Sequence, residues 1–185
     1  MKLIESALDG VLLLEPQVFS DDRGWFYESY NEARFAALGL SVRFVQSNLS
    51  RSRRGVLRGL HYQWPNPQGK LVQVVEGEVF DVAVDLRRGS PHFGRSFGAL
   101  LSAQNKRSMY IPEGFAHGFA TLSEHATFAY QCTALYDREG DRSLRWNDPQ
   151  LGIEWPLSEP LLSPKDAAAP LLADLQPEQL PDAGQ

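Results

Sequence analysis

The sequence predicts an all-β fold, a β-sandwich or jelly-roll β-barrel with short flanking helices. Three observations carry this. Apolar segments of strand length recur along the chain, separated by Gly, Pro, Ser or Asp turns. The longest, KLVQVVEGEVFDVAVDLR, alternates with a period of two: Phe80, Val82, Val84 and Leu86 interleave with Val79, Asp81, Ala83 and Asp85. Helix signals gather in one stretch, with no internal repeat and no sustained heptad. Many short strands with punctuating turns suit a closed or two-layered β architecture.

In chain order, DGVLLLEP and GWFYESY read as strands, and the N-terminal strands are expected to form an extra sheet layer available for pairing between subunits. NEARFAAL reads as a helix, with Asn31 as N-cap and Gly39 just past its end. KLVQVVEGEVFDVAVDLR reads as two strands joined at Glu76-Gly77. GALLSA, SMYIP and ATFAYQCTALY are further strands. The proline- and alanine-rich segment PLSEPLLSPKDAAAPLLADLQPEQLPDAGQ is expected to cross the surface in short turns or helices, with a tail free to loosen from about residue 171. Residues 1–185 read as one domain, large enough to fold without staples.

Composition narrows the function classes. Hydrophobic residues make up 43% and charged residues 22% of the 185, ordinary for a globular protein. The net charge of −5 argues against a nucleic-acid partner, whose footprint is usually basic. The single cysteine, Cys132, allows no internal disulfide and fits an intracellular, cytoplasmic setting. No segment reaches the roughly 20 apolar residues needed to span a bilayer, and the N-terminal apolar run, broken by Asp9 and Gly10, is too short for a signal peptide. An anionic ligand must then be met by a local cationic patch. SRSRRGVLR supplies one; a solvated loop accounts equally well for Arg51, Arg53 and Arg54, whereas Arg58 lies among Val56, Leu57 and Leu60, where a charge is costly unless paired, and is assigned to a site.

His61, in GVLRGLHYQ, could be a metal ligand, a base or a core residue. Metal-binding cupins, which are jelly rolls, carry two histidines one residue apart with a following glutamate, and then P-x-G-x-x-H. The second motif is present as Pro112, Gly114 and His117. The first is broken: Gln63 stands where the second imidazole belongs, and Lys70 lies near the carboxylate position, where an ammonium repels a cation. The pattern reads as a cupin-like scaffold that has lost its metal. His92 and His125 lie in turn-rich stretches and read as surface residues.

The pieces FSDDRG, QSNLSRSRRGVLRGLHYQ, PQGKLVQVVEGEVFDVAVDLRRGSPHFG and YIPEGFAHGF, continuing through RWNDPQLGIEWP to LSPKDAAAP, together resemble the dTDP-4-dehydrorhamnose 3,5-epimerases of the rhamnose pathway, from about Gly10 to Pro170. The resemblance implies a homodimeric jelly roll, free of metal and organic cofactor, acting on a dTDP-4-keto-6-deoxy sugar. C3 and C5 flank the ketone, so loss of either proton gives an enolate; epimerisation needs a base on one face, an acid on the other and a cation near the carbonyl oxygen. By resemblance His61 is the base, Asp166 its carboxylate partner, Tyr130 the proton donor, and Lys70 suits the enolate oxygen. His117 is expected in the same pocket, in a role the sequence leaves open. The resemblance also carries Arg23, Glu28, Gln46, Asn48, Arg58 and Lys165 into nucleotide binding, with Tyr136 as a stacking surface. Asp141 stands where the family usually has glutamate, and Trp25 where phenylalanine is commoner. Alternatives are a relative that inverts one carbon or shifts the ketone, a non-catalytic sugar-nucleotide-binding cupin and, least favoured, a metal-dependent isomerase or dioxygenase.

Overall fold

Short antiparallel strands dominate the computed structural model, which describes residues 1–5 and 8–183. They are β1 (Lys2–Glu5), β2 (Leu12–Glu15), β3 (Val18–Asp21), β4 (Gly24–Tyr27), β5 (Gln46–Arg53), β6 (Leu57–Gln63), β7 (Lys70–Glu76), β8 (Glu78–Asp85), β9 (Ser96–Ser102), β10 (Ser108–Ile111), β11 (Phe115–Thr121), β12 (His125–Cys132) and β13 (Asp141–Ser143). Helix α1 (Glu32–Ala37) precedes β5, and α2 (Pro164–Ala167) lies in the C-terminal segment. A six-stranded sheet in the order β1-β2-β10-β7-β12-β5 faces a five-stranded sheet in the order β13-β6-β11-β8-β9. The chain therefore has the all-β, cupin-like fold that its alternating pattern predicts.

The core explains the patterning. Val72, Val74, Met109 and Phe128 of the six-stranded sheet pack against Val79, Ala83, Leu101 and Phe119 of the other. Residues on the outer face of β8, Val82 and Val84, are buried too, because Leu151, Leu172 and Leu180 cover them. That is why β8 reads as a nearly continuous apolar run. The segment from residue 171, expected to be free to loosen, packs instead: Leu172 and Leu180 are buried, and Arg88 pairs with Asp182 at 2.7 Å. Residues 184 and 185 of that tail lie outside the described residues.

The β7–β8 turn falls where expected. Gly77 takes φ +79, and a Cβ there would collide with the His125 carbonyl. Helix α1 starts as predicted, with the Asn31 side chain accepting from the Arg34 amide at 3.1 Å and Gly39 at φ +89 beyond its end. Its Phe35 is buried on the outer face of the six-stranded sheet, against Leu14 and Leu71.

Two expectations change. The N-terminal strands do not form an extra layer: β1 and β2 extend the edge of the six-stranded sheet, while β3 and β4 make a separate exposed hairpin. Arg51 and Arg53 of SRSRRGVLR lie on β5, pairing with Thr127 and His125 of β12, and only Arg54 falls in an exposed turn. Strand β5 escaped sequence reading because its inward face is polar: Gln46, Asn48, Ser50 and Ser52 are turned inward, whereas Ser47, Leu49, Arg51 and Arg53 are exposed.

Candidate active site

Strands β6 and β11 place two histidines side by side, His61 opposite His117. Two residues further along β11, Phe119 pairs with Arg58, three residues back on β6. Strand β6 thus carries one extra residue, a β-bulge, and the bulge matters for the chemistry. In a regular strand, positions 58 and 61 would point to opposite faces; here both line the same cavity. The bulge sits where two glycines touch: a Cβ on Gly59 would fall 2.6 Å from Gly118 Cα, and one on Gly118 would fall 2.7 Å from the Arg58 carbonyl oxygen. The exposed guanidinium of Arg58 donates to Ser52 Oγ at 3.0 Å, so its charge is not buried as the apolar neighbours suggested.

The cavity, about 160 Å³, is lined by Ser50, Arg58, His61, Lys70, His117, Phe119, Phe128 and Tyr130. It shares Arg58 and His61 with a groove of about 300 Å³ that also touches Arg53, Leu161, Lys165 and Asp166. His61 and His117 come from the five-stranded sheet, and Lys70 and Tyr130 from the facing one. The stacked rings of Phe119 and Phe128, 4.2 Å apart, form an apolar wall.

Each histidine has a carboxylate partner. His61 Nε2 lies 2.5 Å from Asp166 Oδ1, joining a partly exposed imidazole to a buried acid. Asp166 is fixed by α2, where its amide donates to the Ser163 N-cap at 3.1 Å. Burial pushes the Asp166 carboxyl up, but hydrogen bonds and charge from His61, with Ser163 and the Gly59 amide, hold it below the usual carboxylate range. His117 Nε2 lies 2.9 and 3.1 Å from the two oxygens of Asp81, which is fully buried. Burial drives the His117 pKa down despite Asp81, so a neutral imidazole that donates Nε2–H to Asp81 is the form at neutral pH. Lys70 is lowered chiefly by burial, and Tyr130 is raised by burial, so the phenol stays protonated.

Beside the cavity the nucleotide candidates interlock. Gln46 Nε2 donates to Asn48 Oδ1 at 3.0 Å, and Gln46 Oε1 accepts from the Tyr136 amide at 2.8 Å. The Tyr136 hydroxyl donates to Asp141 Oδ2 at 3.2 Å, and Lys165 Nζ meets the same oxygen at 2.5 Å. Asn48 Nδ2 reaches Cys132 Sγ at 3.7 Å. Gln46 is thus already engaged at both ends by the protein.

Arg23 and Glu28 are not brought to the cavity. Arg23 is exposed on the β3–β4 hairpin, paired with Asp21 at 2.5 Å, and Glu28 binds Asn31 and Arg34 at the start of α1. His125 is exposed as expected; His92 is only partly so, with its Nδ1 buried. Sequence reasoning missed Asp81, Ser50, Phe119 and Phe128. The one available signal was an acid, Asp81, on the inward face of an apolar strand. Among the described residues no group of three His, Cys, Asp or Glu side chains is placed to hold a metal ion.

A family model described as dTDP-4-dehydrorhamnose 3,5-epimerase matches residues 5–174. The chain is 58% identical over 176 residues to the dTDP-4-dehydrorhamnose 3,5-epimerase of Pseudomonas aeruginosa, covering 94% of this chain and 97% of that protein. It is 58% identical over 175 residues to the enzyme of the same name from Salmonella typhimurium, covering 93% and 96%. The crystal structure of a dTDP-6-deoxy-D-glucose-3,5-epimerase from Legionella pneumophila, in complex with dTDP-4-keto-L-rhamnose, superposes with a TM-score of 0.96 at 53% identity, covering 100% of this chain and 99% of that one.

Proposed function

The chain belongs to the dTDP-4-dehydrorhamnose 3,5-epimerase family, and from that premise we propose how its residues divide the work of inverting C3 and C5 of dTDP-4-dehydro-6-deoxy-D-glucose. The product is dTDP-4-dehydro-L-rhamnose, and the enzyme is an isomerase.

The observation that carries the division of labour is opposition. A configuration is inverted only if the proton leaves one face of the carbon and returns to the other. His61 stands on one sheet and Tyr130 on the sheet facing it, around one cavity. With Nε2 engaged by Asp166, His61 keeps Nδ1 to remove the α-proton, and Asp166 stabilises the imidazolium that forms. Electrons from the broken C–H bond move onto the ketone oxygen, giving an enolate. Lys70 offsets that charge in a water-poor site. Tyr130 then gives its proton to the opposite face of the same carbon. The cycle closes when His61 releases its proton and the phenol regains one from solvent. Neutral His117 offers a hydrogen-bonding ring edge in the same cavity and leaves the positive charge to Lys70.

In this reading the dTDP end runs along the groove lined by Arg58 and Lys165, with Arg58 on the diphosphate and Tyr136, linked to Lys165 through Asp141, at the base. We read the active form as a homodimer. Arg23 lines a pocket on its own hairpin and neither of the two that His61 lines, and the hairpin exposes Phe19, Trp25 and Phe26 at 55%, 59% and 67%. A second copy would cover those rings and bring Arg23 and Glu28 to its own site. The reaction needs no metal, since Lys70 opposes a cation between the two histidines. The whole chain reads as one domain. No described helix is long and apolar enough to cross a membrane, and a cytoplasmic setting suits a sugar-nucleotide substrate.

A binding module has no use for a base and an acid on facing sheets, which disfavours the non-catalytic alternative. NMR identification of the product from dTDP-4-keto-6-deoxyglucose, trapped by a 4-reductase, tests the reading. The L-rhamno product is expected; inversion at a single carbon would replace this reading by a monoepimerase.

A further inference from the structure

Gln63 stands where a metal-binding cupin has its second histidine, yet it does not line the cavity. Its side chain is buried, and every hydrogen-bonding group on it is used. A carboxamide has two N–H donors and one carbonyl acceptor. Nε2 donates to the Asn66 carbonyl at 2.5 Å and to the Leu135 carbonyl at 3.1 Å, while Oε1 accepts from the Asp137 amide at 2.8 Å. Leu135 and Asp137 flank Tyr136. The Tyr136 amide is itself held by Gln46 at 2.8 Å, and its hydroxyl reaches Asp141 at 3.2 Å. Yet Leu135 and Tyr136 expose 66% and 57% of their surface. An exposed aromatic ring on a backbone pinned from beneath, beside a cationic groove, has the character of a preorganised stacking platform.

We infer that Gln63 is a positioning residue: it clamps the Leu135–Asp137 turn so that Tyr136 is held ready for the nucleoside base of the substrate. This rests on the placement of Tyr136 in the nucleotide subsite proposed above. Only an amide fits the role. Glutamate would set a carboxylate against two carbonyl oxygens, and a neutral imidazole has one donor and one acceptor where two donors and an acceptor are needed. The glutamine at the vacated ligand position therefore exchanges a metal bond for a two-point link between β6, which carries His61, and the segment that bears Tyr136, with a third bond to Asn66 beside β6.

The test compares Gln63→Leu, Gln63→Glu and Tyr136→Ala in the full-length enzyme by calorimetry with dTDP and by steady-state kinetics with the sugar nucleotide. Gln63→Leu is expected to raise the dTDP Kd and the substrate KM about 5- to 30-fold, the effect of one to two lost hydrogen bonds. At saturation kcat should stay within about twofold of wild type. Gln63→Glu should act in the same direction. Tyr136→Ala should weaken dTDP comparably, and adding Gln63→Leu to it should cost little more. If Tyr136→Ala leaves dTDP binding unchanged, the placement of Tyr136 has failed. If Tyr136→Ala weakens binding and Gln63→Leu does not, the clamp alone is refuted. A fall in kcat at unchanged KM would make Gln63 a support for His61 instead, which overturns the proposal. Should the apolar variant not fold, Gln63→Glu carries the same comparison; loss of fold in both assigns Gln63 to the fold alone and also overturns it.

Discussion

His61 and Arg58 line one cavity although they stand three residues apart on the same strand. The bulge in β6, seated where Gly59 meets Gly118, turns the two side chains to one face. The proposed base and the proposed diphosphate ligand are thereby fixed relative to each other by backbone, which suits a substrate whose nucleotide anchors it while its sugar reacts.

Arg58 should matter more to dTDP than Arg53. Arg58 lines both the cavity and the groove, while Arg53, at the end of β5, touches the groove alone. Arg58→Ala should weaken dTDP about 10- to 150-fold, the worth of a charge-assisted contact. Calorimetry on both alanine variants decides it, and equal effects or a larger one at Arg53 would mean that the diphosphate lies elsewhere.

Asp166→Asn should leave the protein folded and substrate bound while lowering kcat about 10²–10⁴-fold, because the imidazolium loses its carboxylate. It also changes acid stability in a definite direction. The folded Asp166 pKa lies below the ordinary 3.8, so its stabilisation is complete above 3.8 and is lost as pH falls through the folded value. Acid denaturation followed by circular dichroism should therefore be less steep below pH 3.8 in Asp166→Asn; an unchanged profile would mean that the ion pair is absent in solution.

Burial places Lys70 below its usual 10.5 and Tyr130 above its usual 10.0. As pH rises the Lys70 ammonium is therefore lost below its ordinary range. The alkaline limb of kcat/KM should fall below pH 10.5, and Lys70→Arg should push it upward. A limb that stays in place in Lys70→Arg would assign the titration to another group.

Much of this was legible in the sequence, for physical reasons. Strands β7 and β8 read as apolar runs of strand length that turn at Gly77, and the Asn31 cap announces α1. His61 and Lys70 stood out in the broken metal motif, Tyr130 and Asp166 were found through the family resemblance, and the structure brings all four to one cavity or its edge. Asp166 alone, beside Lys165 in a polar segment, gave no other signal. Strand β5 was hidden because a strand lining a polar cavity lacks the apolar alternation that betrays strands. The shared face of Arg58 and His61 was hidden because their spacing contradicts it, and only the bulge reverses the parity. Gln63 read as a missing ligand, since its three partners lie in turns as far as 74 positions away. Arg23 and Glu28 lie away from the cavity in one chain, and the proposed dimer is what would bring them to a site.

The central claim is that base and acid act from opposite sheets on opposite faces of the sugar, and isotope exchange tests it most directly. In D2O, His61→Asn should show neither inversion nor deuterium uptake at C3 or C5, because the base is gone. Tyr130→Phe loses only the hydroxyl, so His61 can still form the enolate and return a deuteron to the face it came from. Recovered substrate should then gain deuterium while inverted product falls about 10²–10⁴-fold, as for a lost general acid. Inversion by Tyr130→Phe at the wild-type rate, or undiminished exchange in His61→Asn, would contradict the assignment.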